Sequence, residues 1–380
     1  MAALDTAKRL VIKIGSAILV EAETGQLRED WLKSLGDEIA ALKADDKDIV
    51  IVSSGAIALG RARLDLLGRK LSLAEKQACA AAGQSLLTRA YDRALDAHSI
   101  TTAQALLTLN DTEDRRRWLN ARSTLQTLLT LGAIPIINEN DTVATDEIRY
   151  GDNDRLAART AQMLGADTLI LLSDIDGLYT ADPRSNDNAQ HLPIITELTE
   201  NIMSMGGGVN AEAAIGSGGM ATKLAAAKIA TQAGCRMCIM DGRAKSPFTR
   251  LKTGERSTWF DPASNPKKAR RQWIGGTLKP HGILTIDSGA ANALTQGKSL
   301  LAAGVINLSG AFSKGDAVSI CDETGSELAR GLIAYDAVDA AKILGLNSSD
   351  IFNALGYDNG AALIHRDNCL LYTSPSPRDS

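Results

Sequence analysis

Ile49-Val50-Ile51-Val52-Ser53-Ser54-Gly55-Ala56-Ile57-Ala58-Leu59-Gly60 is the stretch that decides the fold. Four β-branched residues in a row suit a strand buried on both faces, and Ser-Ser-Gly stops it where a helical pattern opens at Ala56. The same order of apolar burst, polar or glycine stop and amphipathic stretch recurs at 10–14, 134–137, 169–172 and 237–240. Short buried strands alternating with helices predict a three-layer αβα sandwich around an open, mostly parallel sheet. In such a sheet, ligands sit beyond the carboxyl ends of the strands. Those ends carry Lys13 and Gly15, Ser53 to Gly55, Asn138 to Asp141, Ser173 and Asp174, and Asp241 and Gly242. Five polar clusters are therefore expected along one edge.

The chain has 380 residues, 44% of them hydrophobic, enough for one large domain and a smaller one. From Gly242 to about Gly276 the apolar rhythm lapses into a connector holding Lys267, Lys268, Arg270 and Arg271, a run that suits solvated charge. Beyond Pro280 come short β-like segments at 283–286, 305–308, 317–321 and 332–334, with one helix expected over 288–295. Domains are thus expected at 1–275 and 279–368, the second small and mostly β. Residues 369–380 have neither period nor core pattern and read as a disordered or foreign tail.

A formal charge of -4 gives no general reason to bind nucleic acid or an anionic membrane. No apolar run approaches the roughly 18 residues of a membrane span. Five scattered cysteines, with no secretory segment over 1–8, fit a reducing cytoplasm.

Phosphoryl transfer needs cations and fixed N–H donors around the moving group, because charge spreads over its oxygens. Lys13-Ile14-Gly15-Ser16 places a lysine and a glycine at a strand end, although an ordinary edge turn has the same form. Ser53 and Ser54 lack the G-x-S-x-G frame of a nucleophile, so Ser54 reads as a substrate hydrogen-bond donor or as a helix cap. Asn138-Glu139-Asn140-Asp141 and Gly151-Asp152-Asn153-Asp154 concentrate amides and carboxylates that could hold an ammonium or orient lysines, or simply make turns.

Gly216-Ser217-Gly218-Gly219-Met220-Ala221-Thr222-Lys223 opens a helical pattern over 220–233, a placement that suits anionic phosphate. It is not a Walker A loop. Gly216, Gly218 and Ala221 also fit a dinucleotide fingerprint with Asp241 as its acid, but a Gly/Ala loop at 206–214 stands where that fingerprint needs a strand. Cys235-x-x-Cys238 runs into an apolar strand and has no second pair, so buried thiols are expected. The four histidines, His98, His191, His281 and His365, lack ligand spacing.

In their order along residues 8–368, these segments, joined by Gly177-Leu178-Tyr179-Thr180-Ala181-Asp182-Pro183-Arg184, resemble the amino acid kinase family. The part from about 279 to 368 resembles a PUA domain, named for RNA-modifying enzymes. The resemblance implies ATP-dependent phosphorylation of the side-chain carboxylate of L-glutamate, the first step toward proline. It also implies that Lys13 and Lys223 neutralise the transferring group, that Asp154 holds both lysines, and that Gly15 and Gly55 offer backbone N–H groups.

Ser54, Asp141 and Asn153 match the family's glutamate positions. Lys13, Ser173, Asp174 and the run Ser217, Gly218, Gly219, Met220, Ala221, Thr222 and Lys223 match its ATP positions. Mg²⁺ would accompany the ATP, with no dedicated protein metal site. The implied partners are proline as feedback inhibitor, a homo-oligomer (dimer or tetramer), and glutamyl-phosphate reductase in a transient handover. Another carboxylate or carbamate kinase of this fold, or an RNA-binding protein acting through the PUA-like part, are the rival readings.

Overall fold

The computed structural model describes residues 2–143, 153–207, 219–262, 280–357 and 360–371. The chain divides into two compact units, Met1–Pro266 and Lys267–Ser380. The boundary expected at 275–279 and the basic run from Lys267 to Arg271 fall outside the described residues.

In the first unit, β1 (Arg9–Ile14), β2 (Asp48–Ser53), β3 (Thr102–Leu107), β4 (Ile134–Glu139) and β5 (Thr168–Ser173) are followed by a small ladder of β6 (Leu178–Tyr179) with β7 (His191–Leu192). Then come β8 (Ile194–Ile195), β9 (Arg236–Asp241) and β10 (Ser257–Phe260). The main sheet runs β3-β4-β2-β1-β5-β9-β10-β8. Its pairs are parallel except for β9 with β10.

Strand side chains alternate between faces, and the core divides accordingly. Leu10, Ile12 and Ile14 join Ile49, Ile51, Ile170 and Leu172 on one face, under helices α1 (Glu29–Ala44) and α3 (Leu73–Asp96). Val11, Val50, Val52, Leu169 and Leu171 join the other, under α4 (Arg115–Thr130), α5 (Asn153–Leu164) and α6 (Met220–Gln232). Three αβα layers result, as expected. The five strands foreseen along the chain are β1, β2, β4, β5 and β9. Edge strand β3 was missed because its Thr-Ala-Gln-Ala-Leu-Leu is mostly half-exposed, so no continuous apolar run marks it.

Helix α2 (Ala56–Arg63) packs on α3 with almost no space between backbones. A Cβ on Gly60 would lie 1.8 Å from Cys79 O, and one on Gly83 1.8 Å from Ala56 O. Only glycine tolerates that approach. A capping box fixes the start of α3: Ser72 Oγ accepts from Glu75 N, and the Glu75 carboxylate accepts from Ser72 N. Together these contacts set the height of residue 84 against the sheet.

The second unit holds β11 (Gly282–Ile286), β12 (Leu300–Leu301), β13 (Val305–Gly310), β14 (Ala317–Cys321), β15 (Glu327–Leu332), β16 (Ala362–Ile364) and β17 (Cys369–Leu371). Five of them form a sheet ordered β13-β11-β14-β15-β17, and β12 pairs with β16. The expected helix is α7 (Ser288–Thr295), capped by Asp287, whose side chain accepts from Ala290 N.

Two expectations are corrected here. The strand expected at 332–334 is Glu327–Leu332; Ile333 is buried beyond its end, so its apolar character serves the core rather than the ladder. The tail expected over 369–380 is corrected at its first three residues: Cys369 pairs with Gly331 and Leu371 with Ala329, burying Cys369. That strand is three residues long, too short to show a period. Residues 372–380 lie outside the described part.

Candidate active site

Lys13 points to the same side of β1 as Val11, toward α5 and α6. There its Nζ forms an ion pair of 2.5 Å with Asp154 Oδ1, at the first turn of α5. Lys223, one turn into α6, reaches the other oxygen, Oδ2, at 3.2 Å. Thr222 Oγ1 also lies 3.1 Å from Oδ2, sharing its single hydrogen with Gly219 O at 2.8 Å. The Asp154 side chain is 1% exposed and the two lysine side chains 8% and 5%, so water screens little of this cluster. Burial alone would push the Asp154 carboxyl up, but the two ammonium groups and their hydrogen bonds outweigh it and hold the group below the usual carboxylate range. One carboxylate thus fixes two cations brought from a strand and a helix far apart in sequence.

Beside the lysines lies a cavity of about 850 Å³. Lys13, Gly15, Ser54, Gly55, Asp141, Asn153, Ser173, Asp174, Gly219, Met220 and Lys223 all line it. Asp154 stands behind the lysines rather than on the wall. Ala221 and Thr222 are not on the lining either, because the helical turn carries them away from it; Thr222 is buried against Asp154 and Gly219. Ser217 and Gly218 lie outside the described residues.

Two helix starts face the cavity. Gly55 caps α2 at φ 109°, a left-handed conformation that opens the turn after β2. Gly219 caps α6. First-turn N–H groups lack intrahelical partners and suit anionic oxygens. For Gly15 the expectation is corrected: its N–H donates to Leu172 O at 3.2 Å, so this turn leaves the amides after it, at Ser16 and Ala17 on the lining, as donors.

At the other end, Asn153 Nδ2 donates to Ser54 Oγ at 2.8 Å and to Asn138 Oδ1 at 3.0 Å. Ser54 is therefore no helix cap; α2 has no side-chain cap. Burial pushes the Asp141 carboxyl up to about 6. A partly desolvated carboxylate on a cavity wall is the group that an incoming ammonium would ionise.

Sequence reasoning left Arg61, Asp176 and Arg243 on the lining without any role, and it named Asn138, Arg184 and Asp241 without giving them a place among the glutamate or ATP positions. Arg61 could have been found, since it stands one helical turn after Ile57 on the same face of α2. Arg243 could not. Its guanidinium meets Asp241 at 2.6 Å, and the Asp241 carboxylate also accepts Arg243 N, leaving that acid occupied rather than poised for a ribose. Cys235 and Cys238 are buried free thiols, and burial pushes both up, Cys238 to about 12. Among the described residues no group of His, Cys, Asp or Glu is arranged to hold a metal ion, and no helix is long and apolar enough to cross a membrane.

Residues 8–241 match the amino acid kinase family and 282–354 the PUA domain. A glutamate 5-kinase of Caulobacter vibrioides is 56% identical over 366 residues, covering 96% of this chain and 97% of its own. That of Paramagnetospirillum magneticum is 55% identical over 98% of this chain and 100% of its own. Glutamate 5-kinase 1 of Rhizobium meliloti is 54% identical over 98% and 94%. A solved UMP kinase of Ureaplasma parvum covers 67% of this chain and 98% of its own, with a TM-score of 0.45 at 16% identity. Paired lysines on one buried carboxylate, helix starts facing a cavity, and identity sustained through both units agree: the chain belongs to the amino acid kinase family, in its glutamate 5-kinase group.

Proposed function

We propose that the protein transfers the γ-phosphoryl group of ATP to the side-chain carboxylate of L-glutamate, giving L-glutamyl 5-phosphate, the first step toward proline. The observation that carries this is the pair of buried lysines held on Asp154 at one wall of a cavity whose other wall bears Ser54, Asp141 and Asn153. A carboxylate oxygen attacks the γ-phosphorus, the bond from that phosphorus to the β,γ-bridging oxygen breaks, and ADP leaves with the electron pair. No base is required, since the attacking carboxylate is already ionised at neutral pH. Lys13, Lys223 and the helix-start amides stabilise charge spreading onto the phosphoryl oxygens.

Asp141 receives the substrate ammonium, while Ser54 and Asn153 hold carboxylate and ammonium groups. Ser173, Asp174 and the α6 start face the nucleotide. Mg²⁺ travels with ATP as part of the substrate and neutralises its phosphates. Asp174 and Asp176 on the lining suit the one or two carboxylates such an ion takes from protein.

Proline as a competing inhibitor, a dimer or tetramer, and handover to glutamyl-phosphate reductase belong to the same proposal, as does a cytoplasmic location, which suits five free thiols. RNA binding gains no support of its own. The kinases that match do so over 96% to 98% of the chain, second unit included.

The deciding test traps acyl phosphate with hydroxylamine while the acceptor is varied over glutamate, aspartate, N-acetylglutamate and carbamate. Product with another acceptor and none with glutamate overturns the proposal.

A pH profile adds a separate check. With its carboxyl raised to about 6, Asp141 is neutral in the empty site below that pH and must ionise to pair with ammonium. The KM for glutamate is therefore expected to climb by about tenfold per pH unit below 6, with that limb absent in Asp141→Asn. Stability moves the other way: a raised carboxyl favours the fold fully below its ordinary range near 3.8 and loses that contribution as pH rises through 6. A flat KM profile between pH 5 and 7 in the unmodified protein would remove Asp141 as the ammonium site.

A further inference from the structure

Behind the substrate wall, a chain of buried side-chain amides runs from α3 to the cavity. Gln84, Asn138 and Asn153 are only 8%, 3% and 4% exposed, so the partners they do have are mainly one another and nearby protein groups. Asn138 Nδ2 donates to Gln84 Oε1 at 2.8 Å, Asn153 Nδ2 donates to Asn138 Oδ1 at 3.0 Å, and Asn153 Nδ2 also donates to Ser54 Oγ at 2.8 Å.

Two backbone groups fix the direction of every bond in this chain. Glu139 N–H can only donate, and it meets Asn138 at 2.9 Å, so the atom facing it is Oδ1. Ser53 O can only accept, and it lies 3.2 Å from Asn153, so the atom facing it is Nδ2. Asn138 must then turn its Nδ2 to Gln84, and Gln84 must answer with Oε1. At the far end, the two Nδ2 hydrogens of Asn153 serve three acceptors, so one is shared, and because an amide nitrogen does not accept, Ser54 Oγ is an acceptor in its contact with Asn153. Its own hydroxyl hydrogen is left to point elsewhere, and Ser54 lines the cavity.

We infer that Gln84 is a positioning residue for substrate binding: its carbonyl anchors the Asn138 amide in the orientation the backbone dictates, and through Asn138 and Asn153 this keeps Ser54 placed as a hydrogen-bond donor toward a substrate carboxylate. Gln84 does not itself line the cavity; it stands behind Asn138, which does. Its Nε2 is buried and has no partner among the described residues, an unfavourable arrangement that a merely space-filling position would avoid with an apolar side chain. The close approach at Gly83 and Gly60 explains how the glutamine is held at the height of Asn138. The inference rests on the proposed phosphorylation of glutamate and deepens it.

The test uses the full chain, with hydroxylamine trapping for kinetics and a thermal melt for folding. Gln84→Met keeps the volume and removes the acceptor. It is expected to raise the KM for glutamate by about tenfold, leaving the KM for ATP unchanged and kcat within a few-fold, the pattern of lost ground-state binding. Gln84→Glu, which keeps an acceptor at that position, recovers most of the loss. In a Ser54→Ala background, Gln84→Met adds less than about twofold, because the hydroxyl it orients is gone.

An unchanged KM for glutamate in folded Gln84→Met overturns the inference, as does a full additional rise in the Ser54→Ala background. Should Gln84→Met fail to fold, Gln84→Glu decides alone, and a tenfold rise there is equally fatal. Failure of the kinase proposal looks different: the unmodified protein then gives no hydroxamate from glutamate.

Discussion

Lys223→Ala is expected to lower kcat by about 10³-fold, near the loss seen when one preorganised donor to a developing charge is removed. The fold should survive. Asp154 keeps Lys13 at 2.5 Å and Thr222 at 3.1 Å, so the truncation leaves no buried charge without a counter-ion. The melt should therefore stay cooperative and close to that of the unmodified protein. The KM for glutamate should move little, because Lys223 stands by the phosphoryl group rather than by Asp141. Near-normal turnover in a folded variant would show that the lysine at the start of α6 plays no part in transfer.

Asp154→Asn should damage both activity and stability, and the contrast is physical. The amide has nearly the same shape, but it leaves Lys13 and Lys223, both nearly buried, facing each other without an anion. Removing one partner from a buried ion pair typically destabilises by about 3–5 kcal/mol. Here one residue serves two pairs. A kcat loss of about 10³-fold or more is expected, since both lysines lose the group that orients them.

The pH dependence carries its own signature. Because the native carboxyl sits below the ordinary carboxylate range, its stabilisation is present above that range and is lost as pH falls through the depressed value. Acid unfolding of the unmodified protein should show this limb, and Asp154→Asn should lack it. An unaltered melt with turnover within tenfold of normal would mean that the carboxylate does not organise the lysines.

How much of this was legible beforehand differs from residue to residue. Lys13 and Lys223 stood out because each sits where an apolar period stops and glycine follows or precedes. The central strands announced themselves through runs such as Ile-Val-Ile-Val, since a strand covered on both faces has no polar alternation. Strand β3 gave no such signal at the edge, and β17 was too short to give one. Gly15 was expected to be an amide donor because the family resemblance implies it; a hydrogen bond to Leu172, 157 positions on, was invisible without the neighbouring strand.

The opening stretch from Ile49 to Gly60 by itself determined a buried strand, a stop and a helix start, and its recurrence determined the αβα class with an active edge. Local period and turn chemistry suffice for that, because they depend on neighbours in the chain. What the tertiary structure alone decided is how the polar ends combine. Asp154 joins lysines 141 and 69 positions away by number, and two backbone groups fix the direction of a hydrogen-bond chain from Gln84 to Ser54. Those relations depend on which strands become neighbours and how deep each side chain is buried, and burial is what makes one unsatisfied donor or one unpaired charge matter.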